Sequence, residues 1–215
     1  MAERVALFGG SFNPIHFGHL IMARSVAEKL TLDRVIFLPT ANPPHKDATS
    51  LVDGSHRAQM VTLAIEGEPG FVLDEFDLRR SGRTYTIDTV AHFRRRLGSD
   101  AEVFWIIGAD SLDELIQWHR ISTLVDSCHM VVASRPGWDR LNFDVLRACL
   151  SDAQITRLRS DCVDTPRIDI SATQIRSRTR QGRSIRYLTP DAVRAYVRKH
   201  NLYADSPAGP TSSAP

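Results

Sequence analysis

Nothing in this sequence reaches the roughly 18 consecutive apolar residues that a membrane-crossing helix requires, and Met1 to Val5 carries no signal-peptide pattern. A soluble chain with no membrane partner is therefore expected. Cysteine is scarce: Cys128, Cys149 and Cys162 form no Cys-x-x-Cys pair and leave an odd count, which argues against a disulfide framework and points to a reducing cytoplasm. An excess of one charge is missing too. The 27 Lys and Arg against 25 Asp and Glu leave a formal net charge of +2, too little to make nucleic acid the main partner. Five arginines between Arg176 and Arg186 are a local exception, but no RRM or KH signature accompanies them, and the run reads as a solvated face rather than an RNA-binding module. The Gly-Lys-Ser/Thr of a Walker loop is absent, as are the three spaced glycines of the dinucleotide fingerprint. No cysteine, Ser-His-Asp or paired-carboxylate arrangement suggests a covalent intermediate, and no internal repeat is visible.

What is present organises itself as alternating strand and helix patterns. With 215 residues the chain has room for one large α/β domain with a true core. We expect that domain over 1–204, with a C-terminal helical part at about 171–203 and a disordered tail over 205–215, which has nothing apolar to bury. Val5–Phe8, Arg34–Leu38, Glu102–Ile107 and Cys128–Ala133 are unbroken apolar runs of the kind found in parallel strands buried on both faces. Helical patterns run from about Phe17 to Leu30, from Asp53 or Ser55 to Ile65, and from Thr84 or Thr86 to a stop at Gly98. The expected fold class is therefore α/β: a Rossmann-like, doubly wound, mainly parallel sheet with helices on both faces. Phe71–Leu78, Gln154–Leu158 and Cys162–Asp164 read as further strands, Leu141–Leu150 as a helix, and Thr189-Pro190-Asp191 as the start of a helix reaching His200.

The stretch Gly9-Gly10-Ser11-Phe12-Asn13-Pro14-Ile15-His16-Phe17-Gly18-His19 joins the first strand to the first helix. Adjacent glycines permit positive φ and close approach of main-chain N–H groups to a ligand, and a helix N-terminus adds about half a positive charge. Such a place suits phosphate. His16 and His19 add two imidazole donors, and Gly18 leaves space against the backbone. The pair lacks further ligands at a spacing that would make a protein-held metal site.

Further candidates follow along the chain. Lys46, in the proline-stiffened loop after the second strand run, is suited to neutralise a phosphate. The helix start at Thr84-Tyr85-Thr86 offers N–H groups that favour a carboxylate over a neutral amide. Gly108-Ala109-Asp110-Ser111 ends the most apolar strand run, where Asp110 can accept from ribose hydroxyls and Ser111 can cap a short helix carrying Leu112, Leu115 and Ile116 inward. Trp118 is either core packing or a platform for a heteroaromatic ring. Ser171 and Gln174 have capping-box spacing, which leaves Thr173 and Arg176 as unexplained donors in the first turns of a helix.

These segments carry a resemblance. His-x-Gly-His is similar to the (T/H)xGH signature of the nucleotidyltransferase superfamily, and Ile170-Ser171-Ala172-Thr173-Gln174-Ile175-Arg176 resembles its second signature, ISSTxxR. The order GGSFNPIHFGH, PPHK, SGRTYTIDT, GADSLDELIQWH and ISATQIR resembles the bacterial nicotinate-nucleotide adenylyltransferase family over most of residues 9 to 176. The resemblance implies that ATP and nicotinate mononucleotide combine to give nicotinic acid adenine dinucleotide and pyrophosphate in NAD biosynthesis. It implies catalytic roles for His16, His19, Lys46 and Arg176. ATP would be bound by Gly9, Gly10, Ser11, Phe12, Gly18, Gly108, Asp110, Ser111, Ile170, Ser171 and Thr173. The mononucleotide would meet Asn13, Thr84, Tyr85, Thr86 and Trp118, with Mg²⁺ carried mainly on the ATP phosphates. Asn13 departs from the Asp of many family members, and His119 leaves the second wall of the pyridine pocket open. Phosphopantetheine adenylyltransferases and cytidylyltransferases share the chemistry and are the alternatives. Assembly into a homo-oligomer is left open by the sequence.

Overall fold

The computed structural model describes residues 2–41, 51–133 and 142–204. Six strands form one sheet: β1 (Arg4–Gly10), β2 (Arg34–Pro39), β3 (Phe71–Leu73), β4 (Glu102–Gly108), β5 (His129–Ala133) and β6 (Cys162–Val163). They lie in the order β3-β2-β1-β4-β5-β6, and every neighbouring pair is parallel. The chain thus winds outward from β1 through β2 to β3, returns to β4 on the other side of β1, and winds outward again. Its reversal lies between β1 and β4, at whose carboxyl ends open α/β sheets bind ligands.

Among the described residues, seven α-helices cover the sheet: α1 (Phe17–Lys29), α2 (Gly54–Ile65), α3 (Thr86–Leu97), α4 (Ile121–Ser127), α5 (Asp152–Ser160), α6 (Ala172–Arg180) and α7 (Asp191–Lys199). Successive strand side chains point to opposite faces, so each strand feeds two cores. Val5 and Leu7 of β1 join Val103, Trp105 and Ile107 of β4 beneath α3, α4 and α5. Ala6 and Phe8 join Phe104 and Ile106 beneath α1, α2, α6 and α7. This double burial is the reason the strand runs are apolar without alternation. The C-terminal helices contribute Ile175, Val193 and Val197 to the same core as Met22 and Val26 of α1.

Several local expectations are corrected. Gln154–Leu158 is helical, inside α5: the Ser151 hydroxyl and the Gln154 side chain form a reciprocal cap, and Ile155 and Leu158 are buried at helical spacing. β3 stops at Leu73 because the Asp74 carboxylate accepts from the Phe76 N–H at 2.8 Å, and a 3₁₀ turn, Asp77–Arg79, follows. The expected helix at Leu141–Leu150 is, within the described residues, a 3₁₀ turn over Asp144–Ala148. The segment after β4 is two 3₁₀ turns, and Ile116 faces water at 45% exposure while Leu112 and Leu115 are buried. Thr189 does not cap α7: the helix begins one residue past Pro190, and the Thr189 hydroxyl is spent elsewhere. The proposed tail over 205–215 lies outside the described residues.

Candidate active site

β1 delivers the glycine segment to the carboxyl edge of the sheet. The expected positive φ is not at Gly9 or Gly10 but at Phe12, φ 44°. The glycines serve close packing instead. A Cβ on Gly9 would stand 2.6 Å from the Trp105 ring, and one on Gly10 would stand 3.1 Å from the Phe12 ring. Phe12 is 1% exposed and packs edge-on against Phe8 and His19, with ring centroids 5.6 and 5.2 Å apart.

His16 is the N-cap residue of α1 and His19 its third helical residue. Their rings lie 3.7 Å apart between centroids, and His16 is 2% exposed. The His16 N–H donates to His19 Nδ1 at 3.3 Å, so the neutral His19 ring carries its proton on Nε2. Gly18 is not an open floor for a base: a Cβ there would meet His16 Nδ1 at 3.0 Å and the Ile170 carbonyl at 3.4 Å. The glycine thereby lets the segment leading to α6 come down onto the histidine turn.

That approach unites the two sequence signatures. Arg176 donates from Nη1 to the Asn13 carbonyl at 2.9 Å and from Nη2 to the Thr173 hydroxyl at 3.3 Å. Partial burial lowers the Arg176 guanidinium pKa, an effect the neighbouring Tyr203 opposes. A cavity of about 560 Å³ collects His16, His19 and Arg176 with Asp110, Ser171 and Thr173. Asn13 lines this cavity rather than the one around Trp118, and its side chain is occupied: Oδ1 accepts from Tyr203 at 2.8 Å and from the Val52 N–H at 3.4 Å. The Phe17 N–H is taken by the Leu188 carbonyl at 3.1 Å, which removes one donor a phosphate at that helix start would use. Lys46 lies outside the described residues.

A second cavity, of about 550 Å³, adjoins the first and shares Phe8, Gly9, Gly10, Ser11, Gly108 and Ser111 with it. Its far wall holds Thr84, Tyr85, Thr86 and Trp118. Tyr85 rather than either threonine is the N-cap residue of α3, and no side chain caps the helix there. Main-chain donors at the start of α3 are therefore not claimed by a capping side chain. His119 pairs with Tyr85 at 4.3 Å between ring centroids, giving the wall beside Trp118 a second aromatic layer.

Several lining residues of the second cavity escaped the sequence reading, Thr40, Trp105 and Asp77 among them. Thr40 follows β2, and its buried hydroxyl has no hydrogen-bond partner among the described residues. Trp105 reads as plain strand, yet its ring edges the cavity over Gly9. Asp77 is 3% exposed, accepts from Thr89 Oγ1 at 2.7 Å, and has its pKa raised, chiefly by burial. An acid one residue before Leu78 in an amphipathic run carries no mark that separates it from a surface acid.

The described cysteines are free, and none lines either cavity. Burial pushes the Cys128 thiol up to about 12 and Cys162 to about 11, which makes them poor nucleophiles. No described helix is long and apolar enough to cross a membrane.

A parallel sheet with two cavities meeting at its reversal point, one holding paired imidazoles and a guanidinium, defines a nucleotide-transfer fold, and residues 7–178 match the cytidylyltransferase-like family. Among relatives, the chain is 38% identical over 93% of its length to the "Probable nicotinate-nucleotide adenylyltransferase" of Moorella thermoacetica, covering 91% of that protein. It is 40% identical over 94% of its length to the protein of the same name from Thermomicrobium roseum, covering 92% of it. A Plasmodium falciparum nicotinic acid mononucleotide adenylyltransferase solved in complex with NaAD shares the fold, with a TM-score of 0.73 at 17% identity over 94% of this chain and 97% of that one. The chain belongs to the nicotinate-nucleotide adenylyltransferase family.

Proposed function

We propose that this protein joins ATP and nicotinate mononucleotide into nicotinic acid adenine dinucleotide, releasing pyrophosphate, as a step of NAD biosynthesis in the cytoplasm. The observation that carries the reading is the shared wall. Two substrate-sized cavities meet at Gly9, Gly10, Ser11, Gly108 and Ser111, so a phosphate on one ligand can face the α-phosphorus of the other. Both the family membership and the aromatic, carboxylate-accepting second cavity favour a pyridine mononucleotide over phosphopantetheine.

The chemistry then needs alignment and charge neutralisation rather than a protein nucleophile. An oxygen of the mononucleotide phosphate attacks the α-phosphorus of ATP in line. The new P–O bond forms as the bond to the α,β-bridging oxygen breaks, and pyrophosphate leaves with that electron pair. His16, His19 and Arg176 line the triphosphate side and would stabilise charge building on the phosphoryl and bridging oxygens. We assign Lys46 the same task by its motif. Ribose hydroxyls would meet Asp110, the pyridine carboxylate would meet the main chain at Thr84–Thr86, and the ring would lie on Trp118.

Asp110 is the single carboxylate among the described residues of the triphosphate cavity, and no described cluster has three metal-ligating side chains. That donor set suits an Mg²⁺ that arrives on the phosphates and keeps mostly water, neutralising phosphate charge when bound.

The test is pyrophosphate release from ATP with nicotinate mononucleotide, its amide analogue and phosphopantetheine in parallel. We expect turnover with the acid, less with the amide and none with phosphopantetheine. Preference for phosphopantetheine would replace this reading with the alternative adenylyltransferase.

A further inference from the structure

The turn that carries the histidines is held from outside by residues far along the chain. Its carbonyls are gripped in alternation. Arg57 donates to Ser11 O at 2.9 Å, Arg176 to Asn13 O at 2.9 Å, and the Thr189 hydroxyl to Ile15 O at 2.8 Å. The Phe17 N–H closes the series on Leu188 O. A non-glycine turn with φ 44° at Phe12 does not hold itself in place; the surrounding structure must over-determine it.

One contact in this set joins a side chain to a side chain. The Tyr203 hydroxyl donates to Asn13 Oδ1 at 2.8 Å, across 190 residues of sequence. Tyr203 follows α7, is partly buried, and has its own φ at 62°. Two guanidiniums, Arg57 and Arg176, interact electrostatically with it, and these are the groups that hold Ser11 and Asn13. Burial raises the phenol pKa well above its ordinary value, so the hydroxyl stays a donor throughout the working range.

Resting on the reaction read above, we propose that Tyr203 is a positioning residue. Through Asn13 it fixes the turn that presents His16 and His19 and the carbonyl against which Arg176 is set. The side chain at position 13 then serves as a neutral acceptor for Tyr203 and not as a ligand of the mononucleotide. Asn fits that task because its amide oxygen accepts from both Tyr203 and Val52 without bringing an anion between the histidine turn and Arg176.

The experiment compares the full-length protein with Tyr203→Phe, Asn13→Ala, the double variant and Tyr196→Phe. Tyr196→Phe removes a bond of the same kind, 2.9 Å to His56 Nδ1, on α7 but outside both cavities. Tyr203→Phe keeps the ring and its packing. We expect kcat to fall about tenfold, with KM for the mononucleotide unchanged, and the double variant to be no worse than Asn13→Ala alone. Tyr196→Phe should match the parent. The ¹⁵N imidazole resonances of His19 should move in Tyr203→Phe and stay in place in Tyr196→Phe.

Parent-like kcat and unmoved His19 resonances in Tyr203→Phe overturn the proposal, as does a loss that simply adds to that of Asn13→Ala. If the parent itself releases no pyrophosphate with either mononucleotide, the reaction assignment fails, and the imidazole resonances alone decide whether Tyr203 sets the turn.

Discussion

The two cavities are built in opposite ways. The histidine cavity draws His16, Asp110 and Arg176 from three elements spread along the chain, and it depends on long-range contacts such as Arg176 to Asn13. The far wall of the Trp118 cavity comes from two local segments, the start of α3 and the 3₁₀ turns after β4, while Thr40, Asp77 and Trp105 complete its lining. That wall presents aromatic surface and main-chain donors. One half can therefore be kept across related nucleotidyltransferases, while the other can be rebuilt for a new acceptor without touching the machinery of transfer. The division predicts that variants in the first half change turnover and variants in the second change acceptor affinity.

The largest expected effect is on the transfer side. Replacing His19 with Ala should lower kcat by about 10² or more if its imidazole acts on charge that develops only in the transition state. KM for the mononucleotide should stay within about twofold, because His19 does not line that cavity. Steady-state pyrophosphate release checks both numbers, and a matching rise in KM would break the division.

The next effect tests the other half. Trp118→Ala should raise KM for nicotinate mononucleotide by about tenfold and leave KM for ATP little changed, on the scale of one lost stacking contact. Trp118 is also packed against the core around Leu112 and Leu115, so a thermal melt belongs beside the kinetics. Equal rises in both KM values would assign it to folding.

Both predictions rest on residues legible in the sequence, Trp118 through the family resemblance and the histidines through their own chemistry. Paired histidines after a glycine turn, or an arginine one turn into a serine-capped helix, have no common structural purpose, so their chemistry stands out. The strands were visible because burial on both faces leaves no polar alternation to confuse. What stayed hidden depends on contacts across the chain. Tyr203 near the end of the described chain reads as one more partly buried aromatic, and nothing local ties it to Asn13. Thr40 and Asp77 are common residue types whose placement matters only once β2 and the turn after β3 lie beside the cavity. In α5 the pair Ile155 and Leu158 has helical spacing, but so short an apolar run does not announce its period, and the cap at Ser151 marks the helix.

A smaller effect sharpens the acceptor side. Asp77 puts a buried carboxyl into the cavity we assign to an anionic ring substituent, against the preference that the α3 start supplies. Its raised pKa reflects the cost of ionising there. Asp77→Asn retains an acceptor for Thr89 and removes the charge. KM for the acid mononucleotide should fall about two- to threefold, with no change for the amide analogue. An equal change for both substrates would mean that Asp77 acts on the shape of the cavity and not on its potential.

The smallest effect lies at the other edge of the sheet, where no substrate is expected. His129 opens β5, stacks on Phe104 with centroids 4.9 Å apart, and faces Asp161 at 3.3 Å. The hydrogen bond that the protonated ring donates to the Asp161 carboxylate is the main cause of its raised pKa. A cation held in this way contributes stability that is complete below the unfolded value of 6.5 and is lost as pH rises through the higher folded value. The side chain is 44% exposed, so solvent screening limits the contribution to at most about 0.5 kcal/mol. His129→Asn should flatten this slight decline in melting temperature as pH rises above 6.5 while leaving the pH profile of kcat unaltered. A change in the kcat profile would connect the amino edge to the site and undo the separation of scaffold from chemistry on which the other predictions are built.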